Sequence, residues 1–281
     1  MASCSKEDVT EDTTIASGST LTNVSYASTS SAQKMDIYIP EGTGPFSVVV
    51  LIHGGAFMMG DKSGEASNAA ALLAKGIAAA SINYRLSGEA RYPAQIEDCK
   101  AAVRFLRANA TKYNLNPDKI GSWGASAGGN LSSLLGTTSG VSELEGASLG
   151  NSLYSSKVIA SVDWFGPINF LTMDAEAASL GFTINTNSST SPESKLIGAA
   201  VQTVPALAAK ANPGTYITSD DAAFFIQAGS LDRNIPYTQS LNFYNSLKTT
   251  FGDSKVTYEL ISGAGHGGTQ FTTAANMAKV T

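Results

Sequence analysis

The sequence predicts an α/β fold: a mostly parallel central sheet with helices on both faces and a small insertion over the site. Three observations carry this. Short runs rich in β-branched residues alternate with helix-length stretches from about residue 46 onward, the pattern of repeated strand–helix units. A Gly-x-Ser-x-Gly pentapeptide falls where one such run gives way to a helix. Two weaker, alternating segments precede the first long run, as antiparallel edge strands would.

Residues 1–20 are rich in Ser, Thr, Asp and Glu, bury little, and read as a disordered tail before one folded domain over 21–281. Residues 21–27 and 34–39 form the two edge strands, closed by Pro40-Glu41-Gly42. Strand 46–52, helix 66–76, strand 78–83, helix 93–113, strand 119–123 and helix 127–136 follow. Residues 137–157 are Ser/Gly/Leu-rich and read as a surface excursion. Strands 158–163 and 223–228 flank residues 166–215, an insertion with a polar loop at 185–190 and an alanine-rich helical piece over 194–211. Helix 237–249, strand 255–261 and a helix near 269–280 complete the chain. In such a sheet, ligands bind beyond the C-terminal strand ends.

Composition narrows the function. A chain of 281 residues, 43% hydrophobic, suits a single domain of this class. The net charge of −5 is spread along the chain, so no basic face recommends nucleic acid. No apolar run approaches the roughly 20 residues of a membrane span. Two histidines, with no CxxC or HExxH, cannot build a His-rich metal site, and the Gly-rich loops lack a phosphate-cradling lysine. No cofactor is implied. Cys99 lies on the stripe Ile96, Cys99, Val103, Leu106, Ala110 and reads as core. Cys4, behind Ala2-Ser3 and ahead of a polar stretch, resembles a bacterial lipoprotein cleavage site, without the apolar segment such a site needs upstream. An exported lipoprotein lacking its signal segment is one reading of Cys4, an incidental cysteine in the tail is the other, and localisation stays open.

Gly124-Ala125-Ser126-Ala127-Gly128 carries the chemistry. A serine on a sharp strand-to-helix turn is held in a strained conformation that needs small neighbours, and its hydroxyl projects into the site. The helix behind it favours negative charge. Only His53 and His266 could serve as its base. His53 opens His53-Gly54-Gly55-Ala56-Phe57 directly after a strand, where a loop supplies oxyanion-binding N–H groups. That leaves His266, in Gly265-His266-Gly267. Eleven acidic residues lie between Ser126 and His266. Asp232, just beyond the next-to-last strand, is placed to reach a histidine beyond the last one. Asp163, also at a strand end, is its rival, and Asp253 lies on the loop before the last strand, at the other end of the sheet.

These residues resemble a serine esterase of the α/β-hydrolase superfamily. Within it the likeness is to bacterial carboxylesterases of the hormone-sensitive-lipase-like and feruloyl/acetylxylan-esterase-like groups. Matching segments are His53-Gly54-Gly55, Asn83-Tyr84-Arg85-Leu86, Tyr92-Pro93-Ala94-Gln95-Ile96, Gly124 to Asn130, Asp232 with Ile235-Pro236, and Gly265-His266-Gly267. The resemblance implies a triad of Ser126, Asp232 and His266, with oxyanion N–H donors from Gly55, Ala56 and Ala127. Ala56 stands where many relatives have a third glycine, and Ala125 where many have a larger residue.

The expected reaction is hydrolysis of short-chain acyl esters, small-molecule or polysaccharide-linked, through a covalent acyl-enzyme. Acetylxylan or feruloyl esterase and lipase are the alternatives, and a non-enzymatic binder is disfavoured because Ser, Asp and His are all retained. The alanine- and serine-rich insertion lacks the bulky amphipathic helices of a lipase lid. Phe57, Met58, Trp164, Phe165 and Ile235 are expected to line the substrate, although each also fits ordinary packing.

Overall fold

The computed structural model describes residues 14–252 and 254–281. Cys4 and Asp253 lie outside the described residues. The expected alternation is present. The strands are β1 (Thr20–Ser25), β2 (Lys34–Tyr38), β3 (Phe46–Ile52), β4 (Ala78–Ile82), β5 (Leu115–Ala125), β6 (Ala160–Trp164), β7 (Ala223–Gly229) and β8 (Val256–Ile261). They form one sheet in the order β1-β2-β4-β3-β5-β6-β7-β8. β1 and β2 are antiparallel to their neighbours, and every other pairing is parallel. The chain reverses its direction of travel across the sheet at β3, which pairs with β4 on one side and β5 on the other. Such a switch point opens a crevice beyond the strand ends.

Period-two alternation divides the core. Val48, Val50 and Ile52 of β3 pack with α2 (Ala94–Ala108), α3 (Ala127–Thr137) and α7 (Thr238–Phe251). Leu51 points the other way, into a smaller core with α1 (Ala66–Leu73) and α8 (Ala274–Val280). Cys99 is fully buried on α2, as its stripe suggested. Lys100 and Arg104, which the stripe does not explain, are buried beside it. Lys100 pairs with Glu145 at 2.7 Å, and Arg104 donates to the carbonyls of Glu145, Gly146 and Gly150. These bonds pin the 137–157 excursion to the body.

Two expectations about boundaries change. Residues before 20 are already tied down: Ile15 donates its N–H to Lys112 O at 2.7 Å, and Gly18 to Pro40 O at 3.1 Å. The helical piece expected over 194–211 is broken into α5 (Pro192–Ile197) and α6 (Pro205–Lys210). Gly198 ends α5 at φ 90°, and Pro205 starts α6. With α4 (Met173–Ser179), these short helices make up the insertion.

Candidate active site

Ser126 joins β5 to α3 at φ 56° and ψ −123°, a left-handed conformation costly for any side-chain-bearing residue. Its neighbours explain the pentapeptide. A Cβ on Gly124 would lie 2.1 Å from Gly128 O, and one on Gly128 would lie 2.0 Å from Ile52 O. The turn is therefore closed to anything larger at both positions. It is held by Ser126 N–H donating to Trp164 O at 2.9 Å and by Asn130 N–H donating to Ser126 O at 3.1 Å.

His266 sits on the loop beyond β8. That loop packs onto the end of β7, where a Cβ on Gly229 would meet Gly265 O at 2.2 Å, and Leu231 N–H bonds Ala264 O at 2.8 Å. His266 Nε2 is 2.8 Å from Ser126 Oγ, and Nδ1 is 2.7 Å from Asp232 Oδ2. Nδ1 faces a carboxylate and so carries the ring proton, which leaves Nε2 to accept from the serine. Asp232 has a fully buried side chain whose Oδ1 accepts from the N–H groups of Asn234 (2.8 Å) and Ile235 (3.0 Å). Those two donors aim Oδ2 at the imidazole. The Phe165 ring packs edge-on against His266 with centroids 4.8 Å apart.

Asp163 is placed differently. It is fully buried beneath α3, accepts from Ser133 Oγ and Gly166 N–H at 2.8 Å each, and reaches no histidine. Burial raises its pKa to about 6, partly offset by those two donors. His53 is also away from the serine. It stacks on Tyr84 at 4.5 Å and donates Nδ1–H to Gly54 O at 2.7 Å, and burial pushes its pKa down. It shapes the glycine loop, as its position suggested.

That loop runs through three successive positive φ angles, Gly55 at 112°, Ala56 at 56° and Phe57 at 59°. Ala56 thus bears the strain a third glycine would relieve. Ala56 and Ala127 border a cavity of about 400 Å³ that also contacts Ser126 and His266, whereas Gly55 does not face it. As the first residue of α3, Ala127 has no intrahelical acceptor for its N–H.

The expected substrate-lining residues divide. Phe57 and Ile235 border the cavity. Met58 instead lines a neighbouring hollow with Arg91 and Lys195. Trp164 is off the cavity, edge-on to Trp123 at 4.8 Å and packed against Phe271 in the smaller core. Phe165 backs His266 and also packs on Phe271, so it supports the imidazole and does not form the wall. Much of the wall comes from the insertion, including Asn185, Thr186, Ser188 and Glu193, with Arg233 on the loop after β7. The polar run at 185–190 was visible in the sequence, but nothing local marked it as facing the serine. The insertion is tied to the body through Tyr92, whose N–H donates to Leu196 O at 2.9 Å and whose hydroxyl donates to Lys210 O at 2.5 Å.

Comparison with known proteins agrees with this architecture. The BD-FAE family model matches residues 35–247. A bifunctional GH43-CE protein of Bacteroides eggerthii superposes with a TM-score of 0.84 at 36% identity, over 98% of this chain and 35% of its own. A truncated carbohydrate esterase from gut microbiota superposes at 0.84 and 34% identity, over 96% of this chain and 95% of its own. Esterase LipC of Mycobacterium tuberculosis is 28% identical over 241 residues, 84% of this chain and 57% of that protein. The chain spans about half the length of curated relatives that it matches over most of its own length. By that match over residues 35–247, across the strands that lead to Ser126 and Asp232, the chain belongs to the BD-FAE family.

Proposed function

We propose that this chain hydrolyses short-chain carboxylic esters by two-step acyl transfer, with Ser126 as nucleophile, His266 as general base and Asp232 as its orienting acid. The unbroken hydrogen-bond chain from Ser126 Oγ through His266 to Asp232, open to a cavity of about 400 Å³, carries this reading. Ser126 Oγ attacks the ester carbonyl carbon while His266 Nε2 takes its proton. Asp232 stabilises the imidazolium, and the N–H groups of Ala56 and Ala127 receive the tetrahedral oxyanion. Collapse breaks the acyl–alkoxy bond, and His266 returns the proton to the leaving oxygen. Water then repeats the sequence on the acyl-enzyme and frees Ser126.

A specific observation favours a carbohydrate ester within this class. The insertion side of the cavity presents Asn185, Thr186, Ser188 and Thr190, a polar surface suited to a hydroxylated alcohol. One fold-wide relative above 30% identity is described as a carbohydrate esterase. A panel of p-nitrophenyl esters from acetate to palmitate, with acetylated xylan and methyl ferulate, tests the reading. Turnover should peak at acyl chains of about two to six carbons, the size a cavity of this class holds beside the alcohol. Fastest turnover of palmitate esters would replace the esterase reading with a lipase.

A further inference from the structure

Glu193 is the second residue of α5 and borders the same cavity as Ser126 and His266. Only 7% of its surface is exposed. A carboxylate on so little exposed a residue is costly unless a cation, donors or the solvent of the cavity compensate it. Among the described residues no lysine or arginine pairs with it. Burial pushes its pKa up, its own N–H and Ser191 partly offset that, and the neighbouring charge, Asp174, has the same sign. Arg233, the cation on this cavity, is engaged elsewhere, 4.8 Å over the Phe182 ring with a long contact to Leu180 O. A place in the first turn of a helix explains an acidic residue. It does not explain one buried against an open cavity.

The wall around Glu193 is preset. Thr186 donates both its N–H and its hydroxyl to Asp174 Oδ1 at 2.8 Å. The hydroxyls of Ser191 and Ser194 both donate to Thr186 O, at 2.6 and 2.9 Å. The segment is thus fixed before any substrate arrives, and beyond its own N–H and Ser191 the Glu193 carboxyl has no cation to pair with among the described residues. Phe57, Met173 and Ile235 add apolar surface to the same cavity.

We infer that Glu193 is the specificity-determining residue of this site, accepting hydrogen bonds from free hydroxyls on the polyol alcohol, a sugar ring, whose ester lies at Ser126. The inference rests on the ester-hydrolase reading above and names the residue that selects the alcohol. Substrate hydroxyls replace the solvent that an open cavity offers the carboxyl, and an alcohol without hydroxyls displaces that solvent without compensation.

The test compares p-nitrophenyl acetate, whose alcohol has no free hydroxyl, with a monoacetylated methyl xyloside, in wild type, Glu193→Gln and Glu193→Met. The ratio of kcat/KM on the glycoside to that on the nitrophenyl ester should fall about tenfold or more in Glu193→Met, mainly through KM, as expected on losing a charge-assisted hydrogen bond. Glu193→Gln, which keeps one acceptor oxygen, should fall less. Unesterified methyl xyloside should also inhibit nitrophenyl acetate hydrolysis competitively in wild type, a readout that needs no folded variant. A purely structural Glu193 would slow both esters equally, and an unchanged ratio overturns the inference. So does a wild type that ignores the glycoside both as substrate and as inhibitor while cleaving nitrophenyl acetate. A wild type that cleaves neither ester fails the hydrolase reading itself, and the inference falls with it.

Discussion

Gly128 packs so tightly against Ile52 that a Cβ at position 128 would lie 2.0 Å from the Ile52 carbonyl oxygen and 2.8 Å from that of His53. Both oxygens belong to backbone at the end of β3, so a side chain there cannot be absorbed by a rotamer change. The first turn of α3, with the Ala127 N–H, is therefore seated directly on the start of the glycine loop. Gly128→Ala should push these two segments apart and lower kcat by at least about 10²-fold, the cost of misplacing catalytic groups by about 1 Å. Steady-state kinetics on a short-chain ester, with circular dichroism to verify folding, checks this. Near-normal kcat in a folded variant would show that the contact is not needed.

Asp163 lies near the end of β6 and Asp232 just beyond β7, and only Asp232 meets His266. Asp232→Asn should leave the fold almost intact yet lower kcat by up to about 10⁴-fold, because the amide favours the wrong imidazole tautomer. Asp163→Asn should cost far less, since its partners are Ser133 and Gly166. Parallel kcat measurements on one ester decide between them. A crippled Asp163→Asn beside a near-normal Asp232→Asn would move the acid to the earlier strand.

Asp163 makes a separate prediction about stability. Its pKa rises from 3.8 to about 6 on folding, because burial disfavours the charged form. The folded state therefore binds the extra proton, and stability falls as pH rises through the window between about 4 and 6. The shift corresponds to roughly 3 kcal/mol. Asp163→Asn lacks this titration, so its unfolding free energy relative to wild type should improve by about that amount between about pH 4 and pH 7. Urea unfolding of both proteins at the two pH values measures it. A difference that stays flat would mean Asp163 ionises at its ordinary pKa.

Much of this architecture is written locally. The β-branched run at 46–52 and the glycines around Ser126 each have one easy backbone solution, and with only two histidines, the place of His53 in the glycine loop leaves His266 as the candidate base. What local pattern could not show is which way a strand-end side chain points. Asp163 and Trp164 are adjacent, so period two sends Asp163 toward α3 and Trp164 into the core with Phe271. Met58 misses the cavity because the positive φ values at Ala56 and Phe57 turn the loop before reaching it. The polar wall depends on bonds such as Tyr92 N–H to Leu196 O, which link residues far apart in sequence and leave no periodic trace.

The role of Ser126 is tested most directly by labelling. Protein treated with a fluorophosphonate should gain a single adduct, located by peptide mapping to Ser126. Ser126→Ala should take no label and lose kcat by about 10⁶-fold while its Tm stays nearly unchanged. An adduct on another residue, or a folded Ser126→Ala protein that still hydrolyses esters near the wild-type rate, would contradict the assignment of Ser126 as nucleophile.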